Sequence, residues 1–129
     1  MEKANILVVD DDKEIAELVG IHLREEGYEV YKAYSGKEAL KIFKQERIDL
    51  VILDVMMPVM NGYEATKMIR SMDRSDAKKI PIIAMTANAF VEDRIKSKEA
   101  GMNEHLAKPL ESEVLIAVSY THLTLPTIA

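Results

Sequence analysis

Five short, apolar-rich runs recur along this chain, each followed by a segment with the periodicity of a helix. The runs are Asn5–Val9, Tyr28–Ala33, Leu50–Leu53, Ile80–Met85 and His105–Ala107. Between and after them, apolar residues return at spacings of three and four. Ile15, Leu18, Val19, His22 and Leu23 mark a first helix that Gly27 closes. Ala39, Leu40 and Phe43 mark a second, with Ser35 as its cap and Glu38 as a capping-box partner. Ala65, Met68 and Ile69 predict the inner face of a third. A charged helix over Glu92–Ala100 ends at Gly101, and a last helix starting at Glu111 carries Val114, Leu115 and Val118. Short continuous apolar strands separated by helical crossovers imply a parallel sheet covered on both faces, because neither face can be left to water. Right-handed crossovers then give an α/β, doubly wound sandwich whose site lies at the carboxyl ends of the strands.

Composition narrows what such a fold can do. At 129 residues the chain suffices for one core. It has no cysteine, which excludes disulfides, thiol catalysis and cysteine zinc sites. The formal net charge is −5, against the basic surface that nucleic-acid binding needs, so no nucleic-acid contact is expected. The apolar run near the start is too short for a signal peptide or a membrane span, and a cytoplasmic location without membrane contact is the expectation.

The polar residues that close the strands carry the chemistry. The first strand ends in Asp10 and Asp11, the third in Asp54, the fourth in Thr86 and the fifth in Lys108. Each alone has an ordinary explanation. An aspartate after an apolar strand is commonly a turn residue, Asp10-Asp11-Asp12 could cap the following helix, and a threonine or lysine at a strand end is unremarkable. Together they are informative, because strand ends on one edge of a parallel sheet converge. Three carboxylates, a hydroxyl and an ammonium then share one crevice. Carboxylates so placed repel unless a hard cation joins them, and Mg²⁺ suits oxygen ligands while keeping several waters. In that setting Asp54 is a nucleophile for an acyl phosphate. Thr86 and Lys108 are placed to receive the phosphoryl charge.

The segments ILVVDDD, LVILDVMMPVMNGYEA, PIIAMTANA and AGMNEHLAKP resemble the signature segments of response-regulator receiver domains, from about Asn5 to Val118. The resemblance implies a flavodoxin-like five-stranded sheet in the order 2-1-3-4-5, and a role as phosphoacceptor in a two-component phosphorelay. It implies that Asp54 takes the phosphoryl group from a histidine kinase or a histidine phosphotransfer protein. Asp10 and Asp11 become the acidic pair, with Asp11 a direct Mg²⁺ ligand, Asp54 a second and the Met56 backbone carbonyl a third. Thr86 becomes the switch hydroxyl, and Lys108 its phosphoryl-pairing partner ahead of a cis bond to Pro109. Ala87 keeps access to the site open, and Pro58 and Gly62 match the loop after the phosphoacceptor. Met56 and Asn88 stand where such domains tune the lifetime of the phosphorylated state. His105 stands where many members carry an inward-turning aromatic, which makes it a switch candidate that departs from the commonest pattern. The face of the fourth helix, fifth strand and fifth helix would carry the signal to an output domain or protein that the sequence does not name.

Two other readings start from the same residues. A Mg²⁺-dependent phosphatase of the haloacid-dehalogenase kind needs a second aspartate two residues after its nucleophile as general acid. Met56 stands there and transfers no proton. A degenerate receiver that only binds partners would not need Asp10, Asp11, Asp54, Thr86 and Lys108 together. The expectation is therefore a signalling switch rather than an enzyme with turnover. The first half of the chain, through Leu53, looks like receivers of winged-helix transcription factors and the second half more like those of hybrid sensor kinases, so a hybrid-kinase receiver or a stand-alone one is the expectation. Residues 1–118 are expected to form the domain. The stretch SYTHLTLPTIA is rich in threonine and β-branched residues and contains Pro126, so 119–129 are expected to be non-helical or disordered. This stretch looks like adapter read-through, hence non-native, with helical order lost near Ser119–Leu123.

Overall fold

The computed structural model describes residues 3–87, 91–108 and 110–124. It contains β1 (Asn5–Val9), α1 (Lys13–Glu25), β2 (Glu29–Ala33), α2 (Gly36–Gln45), β3 (Leu50–Asp54), α3 (Gly62–Arg70), β4 (Ile82–Thr86), α4 (Val91–Ala100), β5 (Glu104–Ala107) and α5 (Ser112–Thr124). The strands form one sheet in the order β2-β1-β3-β4-β5, all pairs parallel. The expected doubly wound fold and strand order are both present.

Period-two alternation sends each strand into two cores. Leu7, Val9, Val51, Leu53, Ile82 and Ala84 face Leu40, Phe43, Ala65 and Ile69 of α2 and α3. Ile6, Val8, Leu50, Ile52, Ile83, Met85 and Leu106 face Val19 and Leu23 of α1 and Leu115 of α5. β3 and β4 are buried along their whole length, whereas the edge strand β2 exposes Glu29 and keeps Val30, Tyr31 and Lys32 half-buried, its charged residues discouraging pairing with another chain.

Helix starts follow local chemistry. Asp12 accepts from the Glu14 and Ile15 amides at 3.0 and 3.3 Å, and so caps α1. Ser35 caps α2 through the Glu38 amide at 3.1 Å. The Glu38 carboxylate reaches the Tyr34 amide at 3.1 Å, one residue ahead of the expected capping-box partner. The full capping box belongs to α3, where Asn61 and Glu64 exchange bonds of 2.9 and 3.3 Å.

Three predicted inward residues face solvent. Leu18, Met68 and Val114 are exposed. In α3 the inner stripe is Ala65, Thr66 and Ile69. Thr66 is tolerated inside because its hydroxyl donates to the Gly62 carbonyl at 2.8 Å.

The expected loss of helix after Val118 is a larger correction. α5 continues to Thr124. Leu115, Val118 and Leu123 pack on the core shared with α1, and Ser119 is fully buried. The Thr121 hydroxyl bonds the Ala117 carbonyl at 2.8 Å, and His122 Nε2 lies 3.7 Å from Glu104. Burial of that face outweighs the poor intrinsic propensity of threonine and serine. Pro126 and the rest of 125–129, like Asn88 and Pro109 with its expected cis bond, lie outside the described residues. No helix among the described residues is long and apolar enough to cross a membrane.

Candidate phosphoacceptor site

The carboxyl ends of the central strands bring the sequence-predicted residues together. Asp10 follows β1 and is fully buried. Its amide is held by the Ala33 carbonyl at 3.1 Å, and its Oδ1 accepts from the Asp12 amide at 2.9 Å. Asp54 ends β3, is only 3% exposed, and lies in register with Met85 of β4. Thr86 ends β4 and is nearly buried, while Ala87 beyond it is exposed. The Lys108 amide donates to the Thr86 carbonyl at 2.8 Å, which fixes the chain after β5 beside β4.

Lys108 ties the site together. Its Nζ stands 3.0 Å from Asp10 Oδ2 and 3.2 Å from Asp54 Oδ1, so one ammonium bridges two buried carboxylates. One positive charge for two negative ones leaves the balance incomplete. Burial, and then the neighbouring Asp10, push the Asp54 carboxyl up to about 6, against the opposing pull of Lys108 and the Met56 amide at 3.4 Å. Burial alone would lower the Lys108 ammonium, but its two carboxylate partners more than offset that and hold it above its ordinary value.

A cation would restore the balance. Asp10, Asp11 and Asp54 each offer an oxygen, all within 4.8 Å of one another. Asp10 Oδ2 is buried and, among the described residues, accepts no hydrogen bond, its contact being the ionic one with Lys108. Asp11 is exposed, so the cluster opens to solvent on one side. Oxygen donors, net negative charge and an open side fit a hard divalent cation that keeps some of its water.

The loop after β3 forms one rim. Met56 is 74% exposed and Pro58 is exposed. Val59 adopts φ 70°, which strains a β-branched residue, and the Met60 amide turns back to the Pro58 carbonyl at 2.8 Å. Gly62 must be glycine, because a Cβ there would come 2.5 Å from the Asp54 carbonyl oxygen. His105 is half-buried on β5 opposite Ala84, on the sheet face away from Leu106. It is not among the side chains gathered on Asp54.

Two features escaped sequence reasoning. The Asn61–Glu64 capping box was legible as N-x-x-E before an apolar stripe. Arg70 gave no such signal, since an arginine ending a helix is ordinary. All five of its N–H donors are used, on the carbonyls of Ala77, Ile80 and Gly101 and on Asn103 Oδ1.

Known proteins share this fold. The family model described as the response regulator receiver domain matches residues 6–119. The chain is 41% identical over 117 residues to the probable transcriptional regulator ycf27 of Porphyridium aerugineum, covering 91% of this chain and 47% of that protein. It is 40% identical over 111 residues to the CAI-1 autoinducer sensor kinase/phosphatase CqsS of Vibrio cholerae, covering 86% of this chain and 16% of that protein. The chain thus spans less than half the length of either relative. Among solved structures, the chemotaxis protein CheY4 of Vibrio cholerae superimposes with a TM-score of 0.90 at 36% identity, over 95% of this chain and all of that one. The receiver domain of the sensor histidine kinase PA1611 from Pseudomonas aeruginosa, which has a magnesium ion coordinated in its active-site cleft, gives 0.85 at 34% identity over 95% and 98%. The chain therefore belongs to the response regulator receiver domain family of two-component signalling.

Proposed function

We propose that the chain is a Mg²⁺-dependent phosphoacceptor that takes a phosphoryl group onto Asp54 from the phosphohistidine of a histidine kinase or a phosphotransfer protein. The observation that carries this reading is the Lys108 ammonium bridging Asp10 and Asp54 in a buried, under-neutralised site. Asp10, Asp11 and Asp54, with the Met56 carbonyl, would hold Mg²⁺, which when bound screens the carboxylates and neutralises phosphoryl charge. A carboxyl raised to about 6 is still largely ionised at neutral pH, so the attacking carboxylate is available there. An Asp54 oxygen attacks phosphorus, and the donor imidazole leaves with the electron pair of its P–N bond. Lys108 stays paired with the charge it already faces, and the Thr86 hydroxyl donates to a phosphoryl oxygen. Movement of Thr86 toward that group, with His105 adjusting on the neighbouring strand, shifts the equilibrium of the face built by α4, β5 and α5. The domain is a cytoplasmic switch that catalyses only its own phosphorylation and slow dephosphorylation. It touches neither nucleic acid nor membrane, and passes its state to an output domain or partner.

The test is incubation with Mg²⁺ and acetyl phosphate, followed by intact-protein mass measurement. A labile single adduct is expected in the wild type and none in Asp54→Asn. Repeated turnover of general phosphate esters would favour a phosphatase instead.

A further inference from the structure

Eight methionines are unusually many for a chain of this size, and the fold treats them unequally. Met57, Met85 and Met102 are buried, and Met60 and Met72 are half-buried in the core shared by α2 and α3. Among the described residues only Met56 and Met68 are exposed, at 74% and 48%. Met68 lies on the outer face of α3. Met56 lies two residues after Asp54, and its amide donates to Asp54 Oδ1. Met56, the most exposed methionine among the described residues, therefore has its backbone on the rim of the phosphoacceptor crevice, and its flexible side chain is open to solvent.

We infer that Met56 is a peroxide-sensitive modification site whose oxidation shortens the life of the phosphorylated state. The inference rests on the reading of Asp54 as phosphoacceptor and adds a second input to that site. The sulfur lone pair attacks one oxygen of hydrogen peroxide. An S–O bond forms as the O–O bond breaks, and the departing hydroxide takes the proton of the transferred oxygen and leaves as water. Sulfur is oxidised by two electrons and the peroxide is reduced by two. The product, methionine sulfoxide, replaces an apolar tip with a strong hydrogen-bond acceptor, and reductases return it to the thioether. Beside an acyl phosphate, that acceptor takes one O–H of a water and leaves the water's lone pair free to attack phosphorus. An unmodified thioether is too weak an acceptor to hold water there. The buried methionines are protected by packing, and Met68 is remote in sequence and on another face, so the effect should be specific to Met56.

The experiment treats the protein with graded hydrogen peroxide, removes the oxidant, and maps sulfoxide by peptide mass spectrometry. Phosphorylation with acetyl phosphate and Mg²⁺ follows, and adduct decay is timed after the donor is removed. Untreated protein must first form the adduct on Asp54; failure there would overturn the phosphoacceptor reading itself. Given that adduct, oxidation is expected to shorten its lifetime by about two- to ten-fold, the factor that one net hydrogen bond supplies. Methionine sulfoxide reductase should restore it. Met56→Leu, compared only with itself, should show the same lifetime before and after peroxide, and Met68→Leu should respond as the wild type does. The inference is overturned if Met56 stays reduced at doses that oxidise Met68, if the lifetime is unchanged by its sulfoxide, or if Met56→Leu responds as strongly as the wild type.

Discussion

Two partly buried cations stand at opposite ends of the sheet, and their surroundings differ in kind. Arg70, at the end where β4 and β5 begin, meets only neutral oxygens and spends all five N–H donors on them. It stitches the end of α3 to the segment before β4, to Gly101 after α4 and to Asn103 before β5. Gly101, at φ 104°, leaves room for it, since a Cβ would come 3.2 Å from Arg70 Cγ. Lys108, at the other end, faces two carboxylates with a third nearby and cannot neutralise them all. One end of the sheet has its cation fully hydrogen-bonded to neutral acceptors. The other is left electrostatically unbalanced, and that imbalance is what a cation or a phosphoryl group can act on.

The contrast is sharpest in stability. Arg70→Met should cost about 3 kcal/mol, because the partly buried Ala77, Ile80 and Gly101 carbonyls lose its donors, while Asn103 Oδ1 keeps the Ile82 amide. Urea denaturation checks this, and the variant should still accept phosphoryl from acetyl phosphate. A loss below about 0.5 kcal/mol would make the clamp an ordinary surface arginine.

At the other end the sign reverses. The folded state holds the Asp54 proton more tightly than the unfolded chain does, since its carboxyl is raised to about 6 from 3.8. Its contribution to stability is therefore present at pH values below the unfolded value and falls as pH rises from about 4 through about 6. Asp54→Asn removes that penalty, so in the absence of divalent cations it should stabilise the protein by about 3 kcal/mol at pH 7. The difference should vanish near pH 3, where both proteins are neutral at this position. Paired denaturation curves across pH decide it, and a destabilised Asp54→Asn at pH 7 would break the comparison.

Magnesium should supply a similar relief by binding. At ten times its dissociation constant it stabilises the native state by about 1.4 kcal/mol, visible as a rise in melting temperature of a few degrees. Asp11→Ala should lose most of that rise, whereas Arg70→Met should keep it.

The arrangement of layers was legible because strand and helix periods alternate five times, and the polar residues closing β1, β3, β4 and β5 were legible as a set. What periodicity could not reveal was strand order, which came from resemblance, or charge balance, which depends on Lys108 reaching Asp10 and Asp54 together. Arg70 was invisible because its acceptors are main-chain carbonyls, which carry no residue identity. The end of α5 was misread because propensity was weighed without the packing of Leu115, Val118 and Leu123. Ser119 shows what that packing leaves unresolved, for its hydroxyl is buried and has no hydrogen-bond partner among the described residues. Ser119→Ala should therefore stabilise the domain by about 0.5–1 kcal/mol, a small gain that thermal denaturation can resolve.

The central claim is that phosphoryl chemistry occurs at the unbalanced end, on Asp54. Borohydride reduction of the protein treated with Mg²⁺ and acetyl phosphate converts an aspartyl phosphate to homoserine, and peptide sequencing locates it. Homoserine at position 54 alone is the predicted result. Homoserine at Asp10 or Asp11, or at no position although the protein has gained a phosphoryl group, would contradict it.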